Sequence, residues 1–255
     1  MKKPLAQAGF ALQRAGYLLT CLAAASMSLR EFRDEVAQSF ADFMATDAEI
    51  LAGLMPWEAR MYARLKPPGR LLLVGCGTGR DLLPLLAMGW EVTGVEPLGT
   101  ALHHLRDILA ARRLHARLIE GYVEDLALDG SFDAISFSYF CYSYIPLRSR
   151  RIDVLRKARA ALSSGGHILI SHNTEPHRGR GLVVRVARLW GGLLGRDWRL
   201  EPGDRLWPGV DTSRIIRYEH VFVPGELAEE AREAGLRVLY PGDPAEDPFT
   251  ILAVA

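Results

Sequence analysis

The chain has 255 residues, a formal net charge of +1, 49% apolar and 24% charged residues. Those values suit one sizeable α/β domain with additions, or two small domains, and a near-neutral charge singles out no class of partner. Cys21, Cys76 and Cys141 are odd in number and form no CxxC pair, which argues against a disulfide framework or a structural zinc site and favours a reducing compartment.

Lys2 and Lys3 open a mostly apolar stretch whose densest window is YLLTCLAAASM, residues 17–27. Polar residues and glycines (Gln7, Gly9, Gln13, Arg14, Gly16) break it up, so it is too interrupted for a spanning helix. Three readings stay open: a helix packed on the domain or on a membrane surface, a cleaved secretory signal, or a true start at Met27. Ser28 and Glu31 have the spacing of a capping box, and Phe32, Val36, Phe40 and Phe43 follow at helical intervals. A helix from about Leu29 to Phe43 is predicted. KPPGR at 66–70 then breaks the chain, dividing a helical extension, 1–66, from a domain at 67–255.

Strand and helix signals alternate from there. RLLLVG is a buried strand, and DLLPLLAMG a helix ending at Gly89 in which Pro84 removes a hydrogen bond. WEVTGVE, ARLIEG, FDAISFSYF and GHILISHN are further strands, with helices at GTALHHLRDILAARR and RIDVLRKARAAL. Beyond them come a strand RYEHVFVP, a helix GELAEEAREAG and the closing strands LRVLYPG and FTILAVA. Alternation of this kind means right-handed crossovers and an α/β fold: a doubly wound, mostly parallel sheet of about seven strands, the last ones antiparallel.

Three glycines, Gly75, Gly77 and Gly79, stand between the first strand and its helix, with Cys76 and Thr78 between them. Ligands of such sheets bind beyond the carboxyl ends of the strands, where glycine lets the backbone turn tightly and approach closely. The helix that follows presents unpaired N–H groups. Glu96 ends the second strand, 17 residues after Gly79, where a carboxylate can accept hydrogen bonds from ribose hydroxyls. Together they indicate a nucleoside-containing cofactor. A dinucleotide fingerprint wants Gly or Ala at position 80, which is Arg80, and no Gly-Lys-Ser/Thr follows to make a phosphate-binding loop.

The stretch VGCGTGRDLLPLLAMGWEVTGVEP resembles the first motif and second strand of the class I S-adenosylmethionine-dependent methyltransferases. The likeness continues through GYVEDLALDGSFDAISFSYF and ARAALSSGGHILIS and covers 68–171 well and 218–255 loosely. It implies a Rossmann-like methyltransferase fold with a substrate-side insertion, 174–217, before the sixth strand, and S-adenosyl-L-methionine as cofactor. By the same resemblance Gly75, Gly77 and Gly79 lie against the methionine end and ribose, and Glu96 holds the ribose hydroxyls. Tyr122, Val123 and Glu124 border the adenine, and Ser138 and Tyr139 face the transferred methyl. Tyr122 stands where many relatives carry an acidic residue, so either Glu124 or Asp125 substitutes for it or the Tyr122 ring stacks on the base.

A methyl donor of this kind leaves the protein to align the acceptor and exclude water, with a base needed only if the acceptor must lose a proton. His172, at the end of the fifth strand, is the candidate base, and its ordinary pKa suits the task; an ordinary loop histidine is the competing reading. In the catalytic reading, His172→Ala lowers the rate by about two orders of magnitude. His177 and His220 are weaker candidates, and His103 and His104 belong to a helix far from the mouth. Tyr142 and Tyr144 either line the acceptor pocket or pack in the core.

From Arg148 to Arg217 the sequence holds 15 Arg or Lys against 6 Asp or Glu. Arg178, Arg185 and Arg188 recur near helical spacing beside Val183, Val184, Leu189, Trp190, Leu193 and Leu194. A solvated lid helix, a pocket for an anionic acceptor, or an amphipathic patch for an anionic membrane all fit that pattern. Nucleic acid is not expected, because the basic tract lacks regularly interleaved aromatics. The expectation is a cytoplasmic methyltransferase acting at O or N of a small molecule, with peripheral membrane contact as an open reading. The rivals are a nicotinamide-dependent oxidoreductase, disfavoured by Arg80, and an inactive methyltransferase-like scaffold.

Overall fold

The structure is a computed structural model that describes residues 2–41, 45–66, 69–176, 181–207 and 216–255. Four helices come first: α1 (Lys2–Ser26), α2 (Leu29–Ser39), α3 (Asp47–Ala52) and α4 (Pro56–Tyr62). The Ser28/Glu31 capping box forms as the sequence predicts, each side chain bonding the other residue's backbone N–H. Helix α2 ends at Ser39, with Phe40 as its cap, and Phe43 lies outside the described residues.

The alternating region gives β1 (Gly69–Val74), α5 (Leu82–Ala87), β2 (Trp90–Glu96), α6 (Gly99–Arg112) and β3 (Arg117–Glu120). Then follow β4 (Phe132–Phe137), a 3-10 turn (Cys141–Tyr144), α7 (Arg148–Ala160) and β5 (Leu162–Ser171). Pro84 is the third residue of α5. The Leu83 and Leu85 N–H groups donate to the Gly79 and Asp81 carbonyls on either side of it, so the proline removes the one bond between them, in the first turn where the cost is small.

The last elements are α8 (Gly181–Leu193), β6 (Asp204–Trp207), β7 (Arg217–His220), α9 (Glu226–Glu233), β8 (Leu236–Tyr240) and β9 (Phe249–Val254). Seven strands form one sheet in the order β3-β2-β1-β4-β5-β9-β8. Its first five strands are parallel, and β9 is antiparallel to both β5 and β8. The order reverses between β1 and β4, which fixes where a ligand crevice opens.

RYEHVFVP does not join that sheet. Because β9 occupies the edge of β5, β7 pairs instead with β6 in a separate antiparallel ribbon. The insertion is therefore a helix plus this ribbon, and it shares a core with the N-terminal helices. Tyr17, Cys21 and Ala24 of α1, Phe32 and Val36 of α2, and Val184 and Ala187 of α8 pack with Trp198, Leu206 and Tyr218. The Phe32 ring stacks on Trp198 at 4.1 Å and meets Tyr218 edge-on at 5.2 Å. This cap sits beside the main sheet, whose two faces carry their own cores around Phe137 and Leu155 on one side and Leu73 and Leu105 on the other. No helix among the described residues is long and apolar enough to cross a membrane.

Candidate functional site

At the end of β1 the backbone turns sharply, with the Gly75 and Cys76 N–H groups both donating to the Val95 carbonyl at 2.8 and 3.2 Å. Gly75 and Gly77 have φ of +75° and +49°, in the left-handed region that side chains rarely enter. A Cβ on Gly75 would collide with Cys141 Sγ, whereas one on Gly77 would meet nothing within 4 Å. The first glycine is required by packing from behind; the second keeps an opening in front.

That opening is a cavity of about 670 Å³, within the range of small-molecule sites. Its walls come from α2, the glycine loop, the end of β2, the loop after β3 and the turn after β4. Gly75, Cys76, Gly77, Thr78, Glu96, Tyr122, Val123, Glu124, Ser138 and Tyr139 all line it. Gly79 does not; a Cβ there would come within 2.5 Å of Leu105 Cδ1, so this glycine serves close packing of the loop on α6.

Glu96 is buried, and burial raises its pKa above the ordinary carboxylate value against the opposing pull of two backbone donors. Its Oε2 accepts from Gly77 N–H at 3.0 Å and its Oε1 from Leu98 N–H at 3.1 Å. Each oxygen keeps acceptor capacity for one further donor, which is the capacity two vicinal hydroxyls need.

Tyr122 and Glu124 sit under α2. The Tyr122 hydroxyl donates to Asp34 at 2.9 Å, and the Arg33 guanidinium lies 4.0 Å above its ring. Arg33 Nε also stands 3.3 Å from Glu124 and its Nη2 2.7 Å from Asp125. Asp125 is more exposed than Glu124 and is absent from the cavity wall, so Tyr122 and Glu124 are the side chains that border it.

The sequence reading gave no place in the site to two neighbours in the loop. Asp81 is buried on the cavity wall, and its Oδ2 accepts a hydrogen bond from the Ser138 hydroxyl. Its Oδ1 lies 2.6 Å from Arg80 Nη2 but receives no aligned hydrogen bond. Burial and the nearby Glu58 carboxylate push the Asp81 pKa up to about 6, with Arg80 and Ser138 opposing. Arg80 makes a bidentate pair with buried Glu58 at 2.6 Å on both arms, tying α4 to the loop. The residue that breaks the dinucleotide pattern is thus a strut. The signal for both was the continuation of the glycine motif itself, GRD.

The structure does not bring His172 to the cavity. Its Nδ1 pairs with Thr174 Oγ1 at 3.0 Å and its Nε2 with Thr250 Oγ1 at 2.9 Å, and burial lowers its pKa to about 4. Its absence from the cavity wall and the engagement of both ring nitrogens weigh against the expectation of a base at His172. Tyr144 reaches the cavity wall, while Tyr142 is fully buried with its hydroxyl on Glu230 at 2.8 Å. Among the other histidines, His220 is buried against Asp204 and Glu226, His103 and His104 lie on α6, and His177 falls outside the described residues. No group of three or more metal-ligating side chains gathers among the described residues.

Comparison with known proteins bears on this geometry. A family model described as a methyltransferase domain matches residues 47–240. The chain is 29% identical over 123 residues to phosphomethylpyrimidine synthase of Thermotoga sp. (strain RQ2), covering 46% of this chain and 28% of that protein. It is 42% identical over 57 residues to protein-L-isoaspartate O-methyltransferase of Chromobacterium violaceum, covering 22% and 26%. The chain thus spans under a third of the length of either relative. In fold it is similar to the glycopeptide N-methyltransferase MtfA complexed with S-adenosyl-L-methionine, with TM-score 0.55, 21% identity, and 78% and 86% of the two chains covered.

Proposed function

We propose that this chain, which belongs to the class I S-adenosylmethionine-dependent methyltransferases, transfers the methyl group to O or N of a small acceptor with an apolar body. The observation that carries the reading is one cavity with two kinds of wall. One wall is polar: the glycine loop, Glu96, Asp81 and Glu124. The other is aromatic and apolar: Phe32, Val36, Phe40, Tyr144 and Ile145. The open space in front of Gly77 and the spare acceptor capacity of Glu96 fit a ligand bearing vicinal hydroxyls.

When bound, the cofactor supplies a sulfonium-activated methyl, so the protein needs little acid–base chemistry. Glu96 would hold the ribose side by accepting hydrogen bonds from its hydroxyls, and Tyr122 with Glu124 would border the base. Asp81, fixed by Ser138 and Arg80, offers a negative charge at the wall of the same cavity. Phe32 of α2 and Phe40 at its C-terminal cap would cover the acceptor side and exclude water, which leaves positioning as the main source of rate.

Two outcomes follow from the side chains. Cofactor affinity is expected to fall as pH drops through about 6, because Asp81 then gains a proton and loses its charge. The fold does not unravel with it on this group's account: a carboxyl whose pKa is raised by folding stabilises the native state more as pH falls from 6 towards its unfolded value. Calorimetry across pH 5–8 with wild type and Asp81→Asn checks this, and a variant with an equally steep profile refutes it. His172→Ala is expected to leave the methylation rate within a few-fold; a loss of about two orders of magnitude restores the base that its hydrogen bonds weigh against.

The reading itself is tested by titrating S-adenosylmethionine and NAD separately into the protein, then following labelled methyl groups in a cell extract. One-to-one binding of the first alone, with label appearing in small molecules, is the expected result. Absence of S-adenosylmethionine binding, or label confined to macromolecules, overturns it.

A further inference from the structure

Helix α8 is apolar on two opposite sides. At 100° per residue, Val184, Ala187 and Gly191 fall on one side, and these are its buried residues. Leu182, Val186, Leu189 and Leu193 fall on the other, with Leu182, Leu189 and Leu193 exposed by 75%, 71% and 83%. A helix that packs by a single face leaves its outer side polar. Among the described residues nothing covers the outer side, although the inner one is already buried against α1, where the Ala25 carbonyl would lie 3.0 Å from a Cβ on Gly191.

The charges around this stripe have one sign. Arg185 and Arg188 flank it on the helix, and the sequence contains no Asp or Glu between Glu175 and Asp197. Helix α1 has the same character. Every residue from Leu5 to Gly16 is exposed, Leu5, Leu12 and Leu19 recur at seven-residue intervals, and no acidic residue precedes Glu31. Trp190 joins the two helices through its indole N–H, which donates to Ser26 Oγ at 2.9 Å, while the ring remains 42% exposed. An amphipathic ring with a wet end and an apolar body suits the headgroup level of a bilayer.

We infer that the outer face of α8 is a docking surface for an anionic lipid bilayer, lying on the membrane rather than across it. The exposed leucines enter the acyl boundary, and Arg185 and Arg188 meet anionic headgroups. Charge complementarity selects this occupant: a bilayer surface is apolar below and negative above, matching a leucine stripe with Arg185 and Arg188 along one edge, Trp190 along the other and no acidic residue on the helix. The inference is independent of methyl transfer, since none of these residues lines the cavity.

Co-sedimentation of the full chain with vesicles of phosphatidylglycerol and phosphatidylcholine tests it, with pure phosphatidylcholine as the control. Binding to the anionic vesicles at low salt is expected, weakening at high salt and absent with the neutral ones. Leu189→Glu and Leu193→Glu should each abolish it. Arg185→Glu with Arg188→Glu should weaken it more than tenfold at low salt, since a basic residue near such a surface contributes roughly fivefold. S-adenosylmethionine binding by calorimetry should be unchanged in every variant, which shows that the fold survives. No sedimentation with anionic vesicles at low salt overturns the proposal. So does a wild-type dimer that the same leucine substitutions dissociate, because the stripe would then belong to a second copy.

Discussion

Replacing Glu96 with alanine is expected to weaken S-adenosylmethionine binding by about a thousandfold, since two hydrogen bonds to a buried carboxylate contribute about 1.5–3 kcal/mol each. The same side chain also accepts from Gly77 and Leu98, so alanine strands two backbone donors in the loop. Glu96→Gln strands one of these donors rather than both, because its amide nitrogen cannot accept. It keeps the volume and one carbonyl acceptor, and should retain most of the thermal stability while losing about tenfold or more in affinity. Isothermal titration of wild type and both variants measures this. An affinity unchanged in Glu96→Ala would remove the carboxylate from the site.

The second large effect distinguishes two glycines that look equivalent in the sequence. Gly75→Ala places a Cβ against Cys141 Sγ at a φ of +75°, combining a left-handed side chain with overpacking. Together these destabilise by about 2–5 kcal/mol, or on the order of 10 °C in Tm for a chain of this size. Cys141→Ala in the same molecule removes the sulfur and should recover part of the loss. Gly77→Ala meets no atom of the protein, so its penalty is the left-handed strain alone, about 1–2 kcal/mol. Its methyl projects into the cavity instead, and cofactor affinity should fall more than tenfold while the fold persists. Thermal melts paired with calorimetry decide the matter; equal melting temperatures for the two variants would contradict this account.

The sheet and its ligand edge were legible because their signals are local. Apolar runs that stop at Gly75 and Glu96 are strand ends, and strand ends in a doubly wound sheet converge. The periodicity of Phe32, Val36 and Phe40 announced a helix, but periodicity does not name what the apolar face covers. That this face meets both Trp198 and the cavity depends on a partner more than 160 residues away. The misplaced strand RYEHVFVP has the same origin: its pattern says strand, while its pairing with β6 rather than β5 depends on β9, which occupies the edge of β5.

His172 shows the limit most plainly. Its place at the end of β5 suggested the mouth of the crevice, yet Thr250 on the antiparallel neighbour and Thr174 on the outgoing loop take up both ring nitrogens. Asp81 is the converse case, a carboxylate adjoining the most conspicuous motif in the chain. Only its burial beside Glu58 and Ser138 marks it as unusual, and burial is not written in a single sequence.

The most direct test is a crystal structure of the protein with S-adenosylhomocysteine, read at the Glu96 carboxylate. The account predicts the ligand in front of Gly77, with the ribose hydroxyls donating to Glu96 and the adenine beside Tyr122. A cavity that stays empty, or a ligand bound elsewhere with Glu96 holding only its two backbone partners, would contradict it.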